Sequence, residues 1–306
     1  MSLAGLTVGF VTLGLTALAQ AQAQAPAPAP AAPPGPPPPM QIKEVTKGVY
    51  MITGNGGNST VRVAQDGVIL VDTKNPGDAV MAELLDKVKS VTPQPVKYVF
   101  ITHHHNDHAG NVVTFLPTAK VVAAKELPPL VARYTPPNNA RKPSEPNTTF
   151  SKKYSAKLKG ARVEAYHFDR AHTGGDAIVY FPDVRVVAVG DELVAATPNT
   201  DYPFDGSVLG WQKSMAALLK LKFDYAIPGH GDNVMSRSEV EAYAKKWDTF
   251  IQRARAEIKA GTPKDQLMAK IRTDDLGWNV NVANWTQPAR LDPFYAELSR
   301  SALAKD

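Results

Sequence analysis

Between Thr102 and Gly110 the chain reads THHHNDHAG, which places four of its seven histidines and one aspartate in a single short stretch. His103 and His105 stand two apart, so in an extended segment both point to one side while His104 points to the other. Two imidazoles placed this way can take adjacent corners of a tetrahedral zinc site. Asp107 and His108 follow, and a tight turn helped by Gly110 would aim them at a second point a few ångströms away. One ion cannot easily use all four donors, which points to two ions. The other histidines are not scattered. His172 stands in AHTGGD and His230 in PGHGD, each read as a loop tip beside a strand end, where α/β proteins build their sites. Asp191, in VVAVGDEL, follows another strand end and can offer one oxygen to each of two cations. His104 and His167 read as structural.

The elements that must position these groups are legible as periodicity. Val49–Ile52, Ser59–Val63 and Val68–Val71 are short β-branched runs between Gly and Asn turns, an opening antiparallel meander. Residues 78–91 carry apolar side chains at helical spacing, and Val96–Ile101 is a buried strand that delivers the histidine cluster at its end. A strand at 120–123, a helix at 125–134 and a Pro- and Asn-rich stretch at 135–148 follow. Further strands are expected at 162–168, 177–181, 185–189 and 225–227, an amphipathic helix at 207–222, and helices from Ser236 onward. Clustered strands with helices between them mean a layered α/β or α+β domain with two sheets. Three segments are placed to shape a pocket: Gly54–Asn58 as a flap or a plain hairpin turn, Thr135–Thr148 as a lid, and Val194–Gly206 with Tyr202, Phe204 and Asp205 as substrate contacts. Trp211, Met215, Leu218 and Leu219 read as core.

Composition narrows the field. The 306 residues permit one large domain, and a net charge of +5 without a basic block gives no nucleic-acid groove. With no cysteine there is no disulfide, no thiolate ligand and no thiol nucleophile. Residues 3–18, LAGLTVGFVTLGLTAL, followed by Ala-x-Ala sites, have the layout of a secretory signal peptide over about 1–25, although no Lys or Arg precedes the apolar run. The run is short for a permanent span, which needs about 20 apolar residues. The expected mature protein is therefore periplasmic or secreted, without stable membrane association. Residues 26–40 are proline-rich and read as a spacer in extended geometry, so the folded domain is expected over 41–306.

The motif HxHxDH at 103–108, a later single His172, Asp191 after VVAVG, and His230 in PGHG, together with LVDT at 70–73, resemble the metallo-β-lactamase superfamily. The resemblance covers roughly residues 45–235 and implies a four-layer αβ/βα sandwich of the α/β class, with metals at one edge between two sheets. Carried over, His103, His105 and His172 would hold one ion and Asp107, His108 and His230 the second. Asp191 would bridge them, and Asp72 would orient a ligand histidine. The family's usual cofactor is a pair of Zn2+ ions, with iron or manganese compatible with the same donors.

The resemblance further implies a hydrolase of small molecules, in which zinc lowers the pKa of bound water toward about 7 and hydroxide attacks a polarised carbonyl. Asp107 would be the catalytic residue, holding the second metal and orienting that hydroxide. The substrate would be an ester, thioester, lactone or amide. Subclasses of β-lactamase with a cysteine ligand are excluded, and the remaining one lacks a bridging aspartate, so β-lactam hydrolysis stands as an alternative. A phosphodiesterase or nuclease of the same fold is a further alternative, opposed by the export signal and the absence of a basic exosite. NGGNSTV at 55–61, HTGGDAIVYFP at 172–182 and YPFDGSVLGW at 202–211 look most like secreted zinc hydrolases of the glyoxalase II and quinoprotein relay type.

Overall fold

The structure, a computed structural model, describes Met1 and residues 38–303. Residues 2–37, with the expected leader and most of the proline-rich spacer, lie outside the described residues.

Strands β1 (Gln41–Thr46), β2 (Val49–Thr53), β3 (Ser59–Val63), β4 (Val68–Val71), β5 (Val96–Phe100), β6 (Lys120–Ala124) and β7 (Thr148–Phe150) form a first sheet in chain order. It opens as an antiparallel meander and becomes parallel from β4 onward. Parallel neighbours need crossovers. Helix α1 (Asp78–Lys89) joins β4 to β5, the short helices α2 (Asn106–Ala109) and α3 (Val112–Phe115) join β5 to β6, and α4 (Leu127–Arg133) precedes β7.

The second sheet holds β8 (Lys153–Leu158), β9 (Ala161–Tyr166), β10 (Ile178–Phe181), β11 (Val186–Val194), β12 (Tyr225–His230) and β13 (Met235–Ser236), in the order β13-β12-β11-β10-β9-β8. Only β11 and β12 pair parallel within it, and the connection between them carries α5 (Val208–Leu218). Helices α6 (Arg237–Lys259), α7 (Leu267–Lys270), α8 (Ala283–Thr286) and α9 (Pro288–Leu303) follow. Ser236 starts α6 through a reciprocal capping box with Glu239.

Burial shows why these elements stack as they do. Val49, Met51, Ile69, Val71 and Phe100 from the first sheet meet Val163, Val179, Phe181 and Ala188 from the second, forming the core between the sheets. The opposite face of the first sheet, with Leu70, Val99 and Val121, is covered by Leu84 and Val88 of α1 and by Phe115 and Leu127. The opposite face of the second sheet is covered by Trp211 and Met215 of α5, Trp247, Phe250 and Ile251 of α6, and Phe294 and Leu298 of α9. The order helix, sheet, sheet, helix is the four-layer αβ/βα sandwich expected of the sequence. Strands such as β4, VILV, are buried on both faces for this reason and show no alternation.

Several boundaries differ from the expected ones. Strand β11 runs on past residue 189, so Asp191 lies within the strand and not after it. The pairing with β12 shifts register around Gly190, which has φ +62 and packs so closely on Thr102 that a Cβ would stand 2.7 Å from that side chain. Likewise β12 extends to His230, which is its last residue rather than a loop tip. The lysine-rich strand β8 was not expected as a strand; its solvent face carries Lys153, Ser155 and Lys157, and only Leu158 is fully buried.

Candidate metal centre

All seven donors expected from the sequence converge at one edge of the sandwich. Strand β5 ends in the buried pair Val99-Phe100, and three residues later His103 emerges at 1% exposure. His105 is the extended residue that starts α2, which puts Asp107 and His108 on the first turn beyond it. His172 comes from the β9–β10 connection, Asp191 from the bulged part of β11 and His230 from the end of β12.

The donor atoms sort into two sets. His103 Nε2 lies 3.2 Å from His105 Nδ1, and His172 Nε2 lies 3.1 Å from the same atom. Asp191 Oδ2 faces this set, 3.7 Å from His172 Nε2 and 4.0 Å from His103 Nε2. In the second set His108 Nε2 is 3.3 Å from His230 Nε2, and Asp107 Oδ2 is 3.1 Å from His230 Nε2 and 3.6 Å from His108 Nε2. The other oxygen of Asp191, Oδ1, faces this second set at 3.2 Å from His108 Nε2 and 3.4 Å from His230 Nε2.

Outer partners orient four of the five rings. His172 Nδ1 donates to the Asn199 carbonyl at 2.5 Å, so its Nε2 is an acceptor. His108 Nδ1 donates to Asp72 Oδ2 at 2.7 Å, and His105 Nε2 to Asp201 Oδ2 at 2.9 Å. Thr102 gives its hydroxyl hydrogen to Asp72 Oδ2 at 2.7 Å, leaving its oxygen to accept from His103 Nδ1 at 3.1 Å. In the first set the imidazoles of His103, His105 and His172 thus point lone pairs at one another at contact distance, an arrangement that is repulsive unless a cation lies between them. Outer partners of this kind fix tautomer and ring orientation in metal sites. The donor set fits a metal.

The electrostatics agree. Burial and then the neighbouring His108 hold the pKa of His103 well below the ordinary value, and burial brings His172 down to about 4. Burial works against charge on His108 too, yet Asp107, Asp191 and Asp72 raise it well above the usual imidazole range. For Asp107 burial is outweighed by His108 and His230, and the carboxyl stays far below its normal range. The carboxylates demand positive charge where His108 and His230 meet them, from a proton or from a metal.

Asp72 has the orienting role expected of it: besides His108 and the Thr102 hydroxyl, it accepts from the Thr102 amide at 2.8 Å. Asp201 and the carbonyl of Asn199 play the same part for His105 and His172, and sequence reading missed both. Nothing in their spacing marks them.

Other expectations need correction. The Gly54–Asn58 loop is not a free flap. Gly57 donates to Asp107 O at 3.0 Å, Asn58 to Gly229 O at 2.7 Å, and the Asn58 side chain reaches the carbonyls of Pro228 and Gly231. Beneath it Lys74, fully buried, donates to Ile52 O at 2.6 Å and Gly57 O at 2.7 Å. Gly57 lies so close to His108 that a Cβ would stand 2.2 Å from its ring. The loop is a wall clamped against His108. Tyr202, Phe204 and Asp205 do not line the metal cavity: Tyr202 bonds Glu297 at 2.6 Å, Phe204 packs on His104 at 4.6 Å between ring centres, and Asp205 pairs with Arg133 at 2.5 Å. Residues 135–148 do not line it either; Arg141 ties that stretch to Asn111 at 2.9 Å. His104 is fully buried among Phe204, Tyr134 and His105, with neither ring nitrogen hydrogen-bonded, and His167 donates from Nδ1 to Asp176 O at 2.7 Å. Trp211, Met215 and Leu218 are core, and Leu219 is partly buried beside them.

With fold and donor geometry established, the chain belongs to the metallo-β-lactamase superfamily, whose family model matches residues 52–230. The 2,4-dinitroanisole O-demethylase subunit alpha of Nocardioides sp. (strain JS1661) is 30% identical over 230 residues, covering 74% of this chain and 68% of that one. The metallo-beta-lactamase type 2 of Bacillus cereus is 25% identical, covering 63% of this chain and 77% of its own. Among solved structures, the stereoselective inverting sec-alkylsulfatase Pisa1 from Pseudomonas sp. superposes with a TM-score of 0.66 over 87% of this chain and 51% of that one. At 18% identity it shows a shared fold.

Proposed function

We propose that the protein is a binuclear metal-dependent hydrolase, zinc being the foremost candidate ion, that adds water to an ester, thioester, lactone or amide carbonyl. The observation that supports this most is Asp191, a carboxylate presenting one oxygen to each of the two donor sets. His103, His105 and His172 would hold one ion, Asp107, His108 and His230 the other. Divalent ions held there would supply a water-derived nucleophile at neutral pH and polarise the carbonyl.

The chain's own part is orientation. Asp107 is held too far below the ordinary carboxylate range to act as a strong base, so it accepts a hydrogen bond from the attacking water and aims it. The water oxygen forms the new bond to the acyl carbon as the bond to the leaving group breaks. The departing oxygen, sulfur or nitrogen carries that electron pair away and takes up a proton, while the proton lost by the attacking water passes to solvent at the open mouth. His108 and His103 are kept in place by Asp72 and Thr102.

A second reading has its own support: the 30% identical relative is named an O-demethylase of 2,4-dinitroanisole. In this chain water added to an electron-poor aromatic carbon would break an aryl ether bond in place of an acyl bond, giving a phenol and releasing the alcohol. The apolar run at residues 3–18 leads us to infer export to the periplasm or the exterior, which cell fractionation tests. For the site itself, the test is metal content together with a panel of lactones, esters, thioesters, β-lactams, phosphodiesters and 2,4-dinitroanisole. Two ions per chain, lost with hydrolysis in Asp191→Ala and His230→Ala, are expected. One ion or none, or phosphodiester cleavage alone, overturns the reading.

A further inference from the structure

Two rings of the first donor set take their outer partners from one loop. Residues 195–207, between β11 and α5, supply the Asn199 carbonyl to His172 Nδ1 and the Asp201 carboxylate to His105 Nε2. The second set takes its outer partner, Asp72, from the end of β4. On the site side the loop is tied to the segment that carries His172: the Asp201 amide donates to His172 O at 2.7 Å, and the Ser207 amide to Ala171 O at 2.9 Å. From behind, the loop is held by the C-terminal helices. Trp285 Nε1, in α8, donates to Pro198 O at 3.0 Å. In α9, Arg290 Nη1 stands 3.1 Å from Asn199 Oδ1, 3.3 Å from Thr200 O and 3.2 Å from Asp201 Oδ1, so one guanidinium nitrogen spans three consecutive residues. About two turns further along α9, the Glu297 carboxylate accepts from the Tyr202 hydroxyl at 2.6 Å, from the Val208 amide at 3.3 Å and from the Ser207 hydroxyl at the start of α5.

The Asp201 side chain is 6% exposed, with Oδ2 committed to His105 and Oδ1 facing Arg290. Removing one partner of such a pair leaves a buried charge uncompensated, and the loop that carries it must shift. Because the Asn199 carbonyl rides on the same loop, a shift would turn the His105 and His172 rings together. We propose that Arg290 and Glu297 are positioning residues, through which α9 holds this loop so that His105 and His172 stay aimed at the first ion. The proposal rests on the metal reading above and concerns the first set alone.

A zinc titration of the full chain against a chromogenic chelator tests it, with one donor set crippled at a time: Asp107→Ala leaves the first set intact, and His103→Ala leaves the second. In the Asp107→Ala background, Arg290→Met should weaken zinc binding about tenfold, as loss of an outer partner does in metal sites. In the His103→Ala background it should change binding less than about twofold. Glu297→Gln should give a smaller loss at the same set. Arg290→Lys, which restores the charge facing Asp201, should recover most of what Arg290→Met loses. Equal loss in the two backgrounds, unchanged affinity at the first set, or no recovery with lysine overturns the positioning role and leaves the metal site standing. A parent chain that binds no zinc overturns both.

Discussion

At the scale of single residues, a proton and a metal compete for the same lone pairs. His230 has its pKa pushed up to about 9: burial opposes this, but hydrogen bonds to Asp107 and Asp191 prevail. In the metal-free protein the folded state therefore holds that proton more tightly than the unfolded chain, whose value is 6.5. The resulting stabilisation is complete below about 6.5 and is lost as pH rises through about 9. Metal must displace the same proton, so its apparent affinity should rise over that interval. Thermal unfolding across this range should show the chelated protein losing stability as pH rises while the metal-loaded protein stays level, because there both its His230 and that of the unfolded chain are unprotonated. Parallel slopes would sink this account. The donors were legible because metal chemistry restricts residue type: histidines and aspartates at strand ends are few, and their spacing is diagnostic. Asp201 and the Asn199 carbonyl were not legible, since any carboxylate or peptide oxygen brought near an imidazole by folding would serve.

At the scale of elements, the clamp beneath His108 shows why a loop's composition does not disclose its mobility. GNGGN reads as a flexible turn, yet Gly57 is there because no side chain fits between the backbone and the His108 ring, and Lys74 holds the loop from below. Burial takes the pKa of Lys74 down to about 7, with Asp72, Asp107 and Glu83 pulling the other way. Replacing it by Met keeps the volume and leaves two buried carbonyls without donors, a cost of about 1–3 kcal/mol for each. Lys74→Met should speed amide exchange at Gly57 and Asn58 and weaken binding at the Asp107–His108–His230 set about tenfold, with a smaller effect on the His103–His105–His172 set. Equal loss at both sets in a metal titration would refute the clamp. Strand and helix positions were largely legible from apolar periodicity. Lysine-rich β8 and the extension of β11 through Gly190 were not, because edge exposure and a bulge both erase the alternating pattern.

At the scale of the whole molecule, the sandwich explains why the two halves of the sequence each look incomplete. Two sheets were legible from the clusters of strands, but their stacking follows from which faces are apolar, and several strands are buried on both. Every strand of the first sheet lies within residues 41–150 and every strand of the second within 153–236. The chain passes from one to the other once, through exposed Ser151 and Lys152. His103, His105, Asp107 and His108 belong to the first segment, and His172, Asp191 and His230 to the second. The ions would therefore act as rivets between two consecutive pieces of chain. A protein nicked between Ser151 and Lys152 should stay together while loaded and separate much faster once a chelator is added, as size-exclusion chromatography would show. Dissociation at the same rate with and without chelator would mean that the apolar interface alone holds the pieces. If the rivet is real, the two pieces expressed from separate genes would assemble on demand, with free metal as the signal that joins them.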